Sequence, residues 1–115
     1  MLRQLLQCKI HKATITEADI SYIGSITIDQ DLLDRVDLWA GQKVTVVSNT
    51  SGNRLETYVI AGKRGSGMVC MNGAAALLIK KGEEVIIFSY ALSDRPITPK
   101  CILVDKENKY VQDLA

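Results

Sequence analysis

Six short apolar runs, cut apart by clusters of glycine, asparagine, aspartate and serine, leave this chain little choice but a small β-rich domain whose strands curl onto one core. Gln7 to Ile15 alternates loosely, Lys43 to Ser48 carries Val44, Val46 and Val47, and Leu55 to Ala61 is rich in β-branched residues. Met68 to Met71, Glu84 to Leu92 and Cys101 to Asp105 complete the set. Between them lie Asn49-Thr50-Ser51-Gly52-Asn53, the glycine-rich stretch from Gly62 to Gly67, and Ser93-Asp94-Arg95-Pro96, all good turn chemistry.

Two segments carry a helical pattern. Asp29 to Val36 places acids in its first turn and Leu32, Leu33 and Val36 on one stripe, with Asp29 as the expected cap. Gly73 to Lys81 is expected to form a second helix, with Asn72 as N-cap, Lys80 and Lys81 in the last turn and Gly82 as the stop. The pattern contains no internal repeat or low-complexity linker. It predicts a mainly β barrel carrying small helices.

At 115 residues the chain suits one core and is too short for separate cofactor and substrate domains. Its formal charge of +1 and 5% aromatics give neither the basic footprint nor the stacking platform of a nucleic-acid binder. Cys8, Cys70 and Cys101 are far apart, and no CxxC or Cys/His cluster suggests a metal site or disulfide framework. A reducing cytoplasm is the expected setting. Gln7, Lys9 and His11 interrupt the apolar start before a signal-peptide core forms, and no run reaches transmembrane length, so a soluble protein meeting small metabolites is expected.

Candidate chemistry gathers at four places. At Gly24-Ser25 a serine hydroxyl can attack the preceding carbonyl if the backbone is held strained, and glycine permits strain. Gly65-Ser66 repeats the dipeptide, so a plain turn is the competing account. Lys9 and His11 fall on one face of the first strand with Gln7, where they make either a site or a solvated face. A lone histidine supports neither a multi-histidine metal site nor, without a Gly-x-Ser-x-Gly elbow, a hydrolase triad.

Arg54, Glu56 and Tyr58 alternate on another strand, so guanidinium and phenol are expected on one side at a spacing of about 7 Å, the span of a small substrate. An arginine fork binds carboxylate and a phenol can deliver a proton to a developing carbanion; a surface strand with a cross-strand ion pair remains the alternative. Asn72-Gly73-Ala74-Ala75-Ala76 offers small side chains at an expected helix start, suited either to an anion or to close packing of helix on sheet.

Leu6-Gln7-Cys8-Lys9-Ile10-His11, Ala18-Asp19, Tyr22-Ile23-Gly24-Ser25, Ile28-Asp29-Gln30-Asp31, Arg54-Leu55-Glu56-Thr57-Tyr58 and Asn72-Gly73-Ala74-Ala75-Ala76 together resemble the aspartate 1-decarboxylase family, in order and spacing, up to about Ser89. The resemblance implies a six-stranded double-psi β-barrel, usually a homotetramer with active sites at subunit interfaces. It also implies self-cleavage into 1–24 and 25–115, with Ser25 converted to a covalent pyruvoyl group and no metal. That group would serve as the electron sink for decarboxylation of L-aspartate to β-alanine, feeding pantothenate and coenzyme A synthesis.

Carried over residue by residue, Ser25 and Tyr58 are catalytic, and Gly24, Ser25 and Thr57 act in processing. Lys9, Arg54, Thr57, Gly73, Ala74 and Ala75 bind substrate, while His11, Tyr22 and Asn72 support them. Strand alternation puts Thr57 opposite Tyr58, so both serve one site only through a bend or an interface. The chain departs from the pattern at Val47, where tryptophan is common, and at Ile26, after the serine. Some relatives mature with an accessory protein. The rival reading from another class is an inert β-barrel module in which Lys9, Arg54 and the start of the second helix hold a small dicarboxylate and Gly24-Ser25 stays whole.

Overall fold

The computed structural model describes residues 1–114, and its framework is strand-built. In chain order come β1 (Arg3–Thr14), β2 (Glu17–Asp19), β3 (Ser25–Asp29), α1 (Gln30–Val36), β4 (Lys43–Ser48), β5 (Arg54–Gly62) and β6 (Val69–Asn72). Then follow α2 (Ala75–Leu78), β7 (Glu84–Ser93), β8 (Lys100–Val104) and β9 (Tyr110–Leu114). The strands form one mixed sheet in the order β2-β6-β3-β5-β4-β7-β1-β8-β9. Pairs β1/β8, β2/β6 and β3/β5 are parallel and the rest antiparallel.

All six sequence runs are strands, and the alternation sets which side chains turn inward. Val44, Val46 and Ser48 of β4 and Val85, Ile87 and Ser89 of β7 are buried, with more exposed residues between them. On β1, Cys8 and Ile10 point into the core while Gln7, Lys9 and His11 stay half-exposed, as the spacing predicts. A register shift between Ile10 and Ala13, with Lys12 at φ 64°, then moves the phase so that Ala13 is buried.

The strand count is nine rather than six. The three extra strands have weak sequence signatures: β2 has three residues, β9 buries none of its side chains, and β3 coincides with the stretch whose motif drew attention first. A core of β-branched and leucine side chains joins the sheet to α1 through Leu32, Leu33 and Val36. Burial of each contributes on the order of 2 kcal/mol.

α1 starts where expected, with the Asp29 carboxylate accepting the Asp31 N–H at 2.8 Å, and it ends at Asp37 in the left-handed region. The second helix differs from expectation. It is a single turn, Ala74 occupies the cap position without a side-chain hydrogen bond, and Asn72 belongs to β6. Its two leucines, Leu77 and Leu78, are exposed, so no apolar face drives a longer helix. Lys80 does reach back to a terminal carbonyl, donating from Nζ to Leu77 O at 3.1 Å, whereas Gly82 (φ 89°) turns the chain into β7.

Candidate functional site

Ser25 is the first residue of β3 and is completely buried, although the residues from Ile20 to Gly24 before it are exposed. Its hydroxyl donates to Ile23 O at 2.9 Å and accepts from Asn72 Nδ2 at 2.9 Å. The second hydrogen of that amide goes to Thr27 Oγ1, also at 2.9 Å. Asn72 can do this because β6 pairs antiparallel with β3 and sets it opposite Ser25. A strand, not a helix cap, thus aims the asparagine at the serine, and its donor favours a nucleophile that is developing negative charge.

The backbone freedom expected of Gly24 is found at Gly73 instead. Gly24 is not among the glycines at positive φ, whereas Gly73 has φ 68°. A Cβ on Gly73 would stand 2.7 Å from Gly24 Cα and 2.8 Å from Gly24 N, so only glycine permits this approach. The Gly73 N–H donates to Asp19 O at 2.7 Å and is unavailable to an anion.

Tyr58 reaches the same neighbourhood through β5. Tyr58 is 39% exposed and directly precedes Val59, the β5 residue that pairs with Ile26, the residue after Ser25. Thr57 lies between exposed Glu56 and Tyr58 and points to the opposite, half-buried side with Leu55, as strand alternation requires. Tyr22, Thr27 and Asn72 border a cavity of about 380 Å³ that also meets Glu17, Asp19 and Cys70.

Lys9 and Arg54 meet elsewhere, in a cavity of about 300 Å³ with Leu6, Val47, Ile86, Phe88 and Tyr90. Register explains the grouping: Val47 pairs with Arg54 and with Ile86, while Lys9 pairs with Phe88. The Arg54 guanidinium lies 5.7 Å from the Phe88 ring centroid, and Phe88 packs edge-on against Tyr90. Glu56 does form the cross-strand ion pair expected of a surface strand, but with Lys43 at 3.0 Å, leaving Arg54 directed to the cavity. Two cations beside an apolar wall suit a small carboxylate with a short aliphatic body.

Arg54 and Tyr58 are four residues apart on β5, about 13 Å along an extended strand rather than about 7 Å. Within one chain, the cationic cavity and the Ser25 cluster are therefore two places. His11 is half-exposed on the Lys9 face of β1 and pairs with Leu103 of β8. Ala74 and Ala75 open the α2 turn, directly after Gly73. Among the described residues no cluster of His, Cys, Asp and Glu could hold a metal ion, and no helix is long and apolar enough to cross a membrane.

Sequence reasoning gave no separate weight to Asp29 beyond capping, to Asp19 beyond a motif, or to Asn108. Asn108 is fully buried and ties the turn after β8 to β1 and to the glycine-rich loop, donating to Thr14 O and Gly67 O at 2.8 Å each and accepting Thr14 N–H at 2.8 Å. Its only sequence trace is a polar turn residue, which could not reveal these distant partners.

Comparison with known proteins adds an independent line. Residues 1–111 match the family described as "Aspartate decarboxylase". The chain is 57% identical to the "Aspartate 1-decarboxylase" of Neisseria meningitidis serogroup C, covering 95% of this chain and 89% of that protein. It is 52% identical to the protein of that name from Bacillus velezensis and 49% identical to that of Bacillus subtilis, each covering 99% of this chain and 93% of the relative.

Proposed function

The chain belongs to the aspartate decarboxylase family, its activity is that of an aspartate 1-decarboxylase, a pyruvoyl-dependent carboxy-lyase of pantothenate synthesis, and we propose that it makes its pyruvoyl group by cutting its own Gly24–Ser25 bond. The observation that carries this is the buried Ser25 hydroxyl held by Asn72 at the end of an exposed loop. Ser25 Oγ attacks the Gly24 carbonyl carbon, the Gly24–Ser25 C–N bond breaks, and the hydroxyl proton ends on the Ser25 nitrogen. Loss of the Ser25 α-proton then breaks the Cβ–O ester bond and frees the Gly24 carboxylate. Water replaces the resulting enamine nitrogen, which leaves as ammonia.

The residues around Ser25 fit the product of this sequence. Ser25 is buried, and the Asn72 amide, held also by Thr27 Oγ1, offers a polar hydrogen to an oxygen at this position. When present, the pyruvoyl group supplies the electron sink that decarboxylation needs and no ordinary side chain provides. Lys9 and Arg54 hold substrate carboxylate, and the Phe88 and Tyr90 rings pack along the substrate's short aliphatic body. Tyr58 delivers the proton that replaces CO₂ on carbon. Thr57 acts at the scissile bond, Gly73, Ala74 and Ala75 line the substrate site, and His11 and Tyr22 support it.

Separation of the cationic cavity from Ser25 along β5 favours a site completed by a second copy of the chain. Exposed Tyr22, Ile23, Tyr90 and Leu92 supply apolar area for such contact, and a homotetramer meets the requirement with every site shared. The mixed sheet and its parallel pairs suit closure as a double-psi β-barrel.

Intact-mass measurement of the purified chain through a warm incubation tests the proposal. The expected outcome is conversion to fragments 1–24 and 25–115, the larger lighter than a serine-ended fragment by one ammonia. Tyr58→Phe should mature normally and lose about 100-fold in kcat. A wild-type chain that stays whole even with a cell extract from its source, and still decarboxylates aspartate, would overturn self-cleavage. Maturation only with the extract would identify a required partner.

A further inference from the structure

The exposed loop ahead of Ser25 needs its own explanation. Asp19 through Gly24 are all exposed, so no buried side chain fixes the path of a segment that must present one carbonyl to one hydroxyl. Both ends of the arch rest on the same residue: Asn72 pairs with Asp19 in β2 and with Ser25 in β3. Inside the arch, Asp19 Oδ1 accepts the Ser21 N–H at 3.0 Å and the Ser21 hydroxyl at 2.6 Å. Asp19 O accepts the N–H groups of Gly73 at 2.7 Å and Tyr22 at 3.4 Å. Gly73 in turn is the surface against which Gly24 lies, and it has no side chain to push Gly24 away.

We propose that Asp19 and Ser21 are positioning residues for self-cleavage, forming a clamp that folds the exposed 19–24 arch onto Gly73 and holds the Gly24 carbonyl for Ser25. This rests on the self-cleavage reading above and extends it to residues that touch neither substrate nor the reacting atoms. The clamp acts through geometry alone: one carboxylate gathers two donors from Ser21, and the adjacent carbonyl anchors the turn to the strand-end glycine. Its contribution ends when the Gly24–Ser25 bond breaks, because the two sides of the arch then belong to separate chains. Loss of the clamp therefore slows maturation and spares the matured enzyme, a split that a general loss of folding does not produce.

The test follows wild-type, Asp19→Ala, Asp19→Asn, Ser21→Ala and Ser25→Ala full-length chains from cell-free synthesis, sampling intact mass with time and melting temperature in parallel. Asp19→Ala is expected to mature about tenfold more slowly, and Ser21→Ala several-fold more slowly. Asp19→Asn, which keeps an acceptor oxygen, should mature within about threefold of wild type. Aspartate turnover per pyruvoyl-bearing chain should stay within about threefold throughout. Asp19→Ala maturing at the wild-type rate, or Asp19→Asn failing as badly as Asp19→Ala, would overturn the clamp while leaving self-cleavage intact. Wild type as inert as Ser25→Ala, even with cell extract from its source, would instead remove self-cleavage, and the clamp with it.

Discussion

The chain contains the dipeptide Gly-Ser twice, and the two copies have opposite environments. Ser25 is buried at the start of a strand with its oxygen engaged by Asn72, whereas Ser66 is exposed in a turn, donating to Lys63 O at 2.6 Å and accepting the Met68 N–H at 3.2 Å. Gly65 sits in the left-handed region at φ 78° and Gly24 does not. What sets Ser25 apart is neither the dipeptide nor an unusual glycine before it, but the strand pairing that buries its hydroxyl beside an amide. The two are linked through β3. It begins at Ser25 and ends at Asp29, whose carboxylate accepts Gly65 N–H at 3.0 Å and Gly67 N–H at 2.8 Å.

Removing each hydroxyl breaks the comparison at its widest point. Ser25→Ala should give a folded chain that never cleaves and releases no CO₂ from aspartate, checked by intact mass and radiolabelled CO₂ release; activity in that variant would sink the assignment of Ser25. Next in size is Asp29→Asn, which puts an amide hydrogen where a backbone N–H now donates and should cost about 2 kcal/mol in urea unfolding. Burial pushes the Asp29 carboxyl up, but the N–H groups of Gly67, Asp31 and Gly65 and the charge of Lys109 outweigh it and hold it below the ordinary carboxylate value. A carboxyl depressed in the fold stabilises above its unfolded pKa of about 3.9 and loses that stabilisation as pH falls through the lower folded value. The variant should therefore show a flatter loss of stability below about pH 4.

Asn72→Ala should slow maturation about tenfold, since it removes the donor from a buried Ser25 oxygen while leaving the serine in place. A time course of cleavage checks it, and an unchanged rate would mean that burial alone distinguishes the two serines. Ser66→Ala sits at the small end, with unfolding free energy changed by no more than about 0.5 kcal/mol and maturation unaltered. A maturation defect there would erase the contrast altogether.

Much of the fold was legible because burial here follows period two. Val44 and Val46, and Val85 and Ile87, could be assigned inward from spacing alone, and Asp29 announced the start of α1. The misses have local causes. Asn72 precedes small, helix-compatible residues and so resembles a cap, while its antiparallel partner Ser25 is 47 positions away. Asn108 and Asp29 are hubs for loops that meet only after folding, and Asn and Asp in a turn look alike whether they face water or a buried backbone. The cationic pair Lys9 and Arg54 is visible by residue type, but the four residues from Arg54 to Tyr58 span about 13 Å of β5 rather than the expected ~7 Å.

By itself the sequence determined the family, the strand-rich class and the chemistry that a carboxylate substrate requires, because those depend on residue identity and on short-range spacing. Only the tertiary structure decided which Gly-Ser is buried, that Asn72 on a strand rather than at a helix cap bonds Ser25, and that the cations stand apart from Ser25. Those facts depend on strand register between segments far apart in the chain, which side-chain periodicity leaves undetermined.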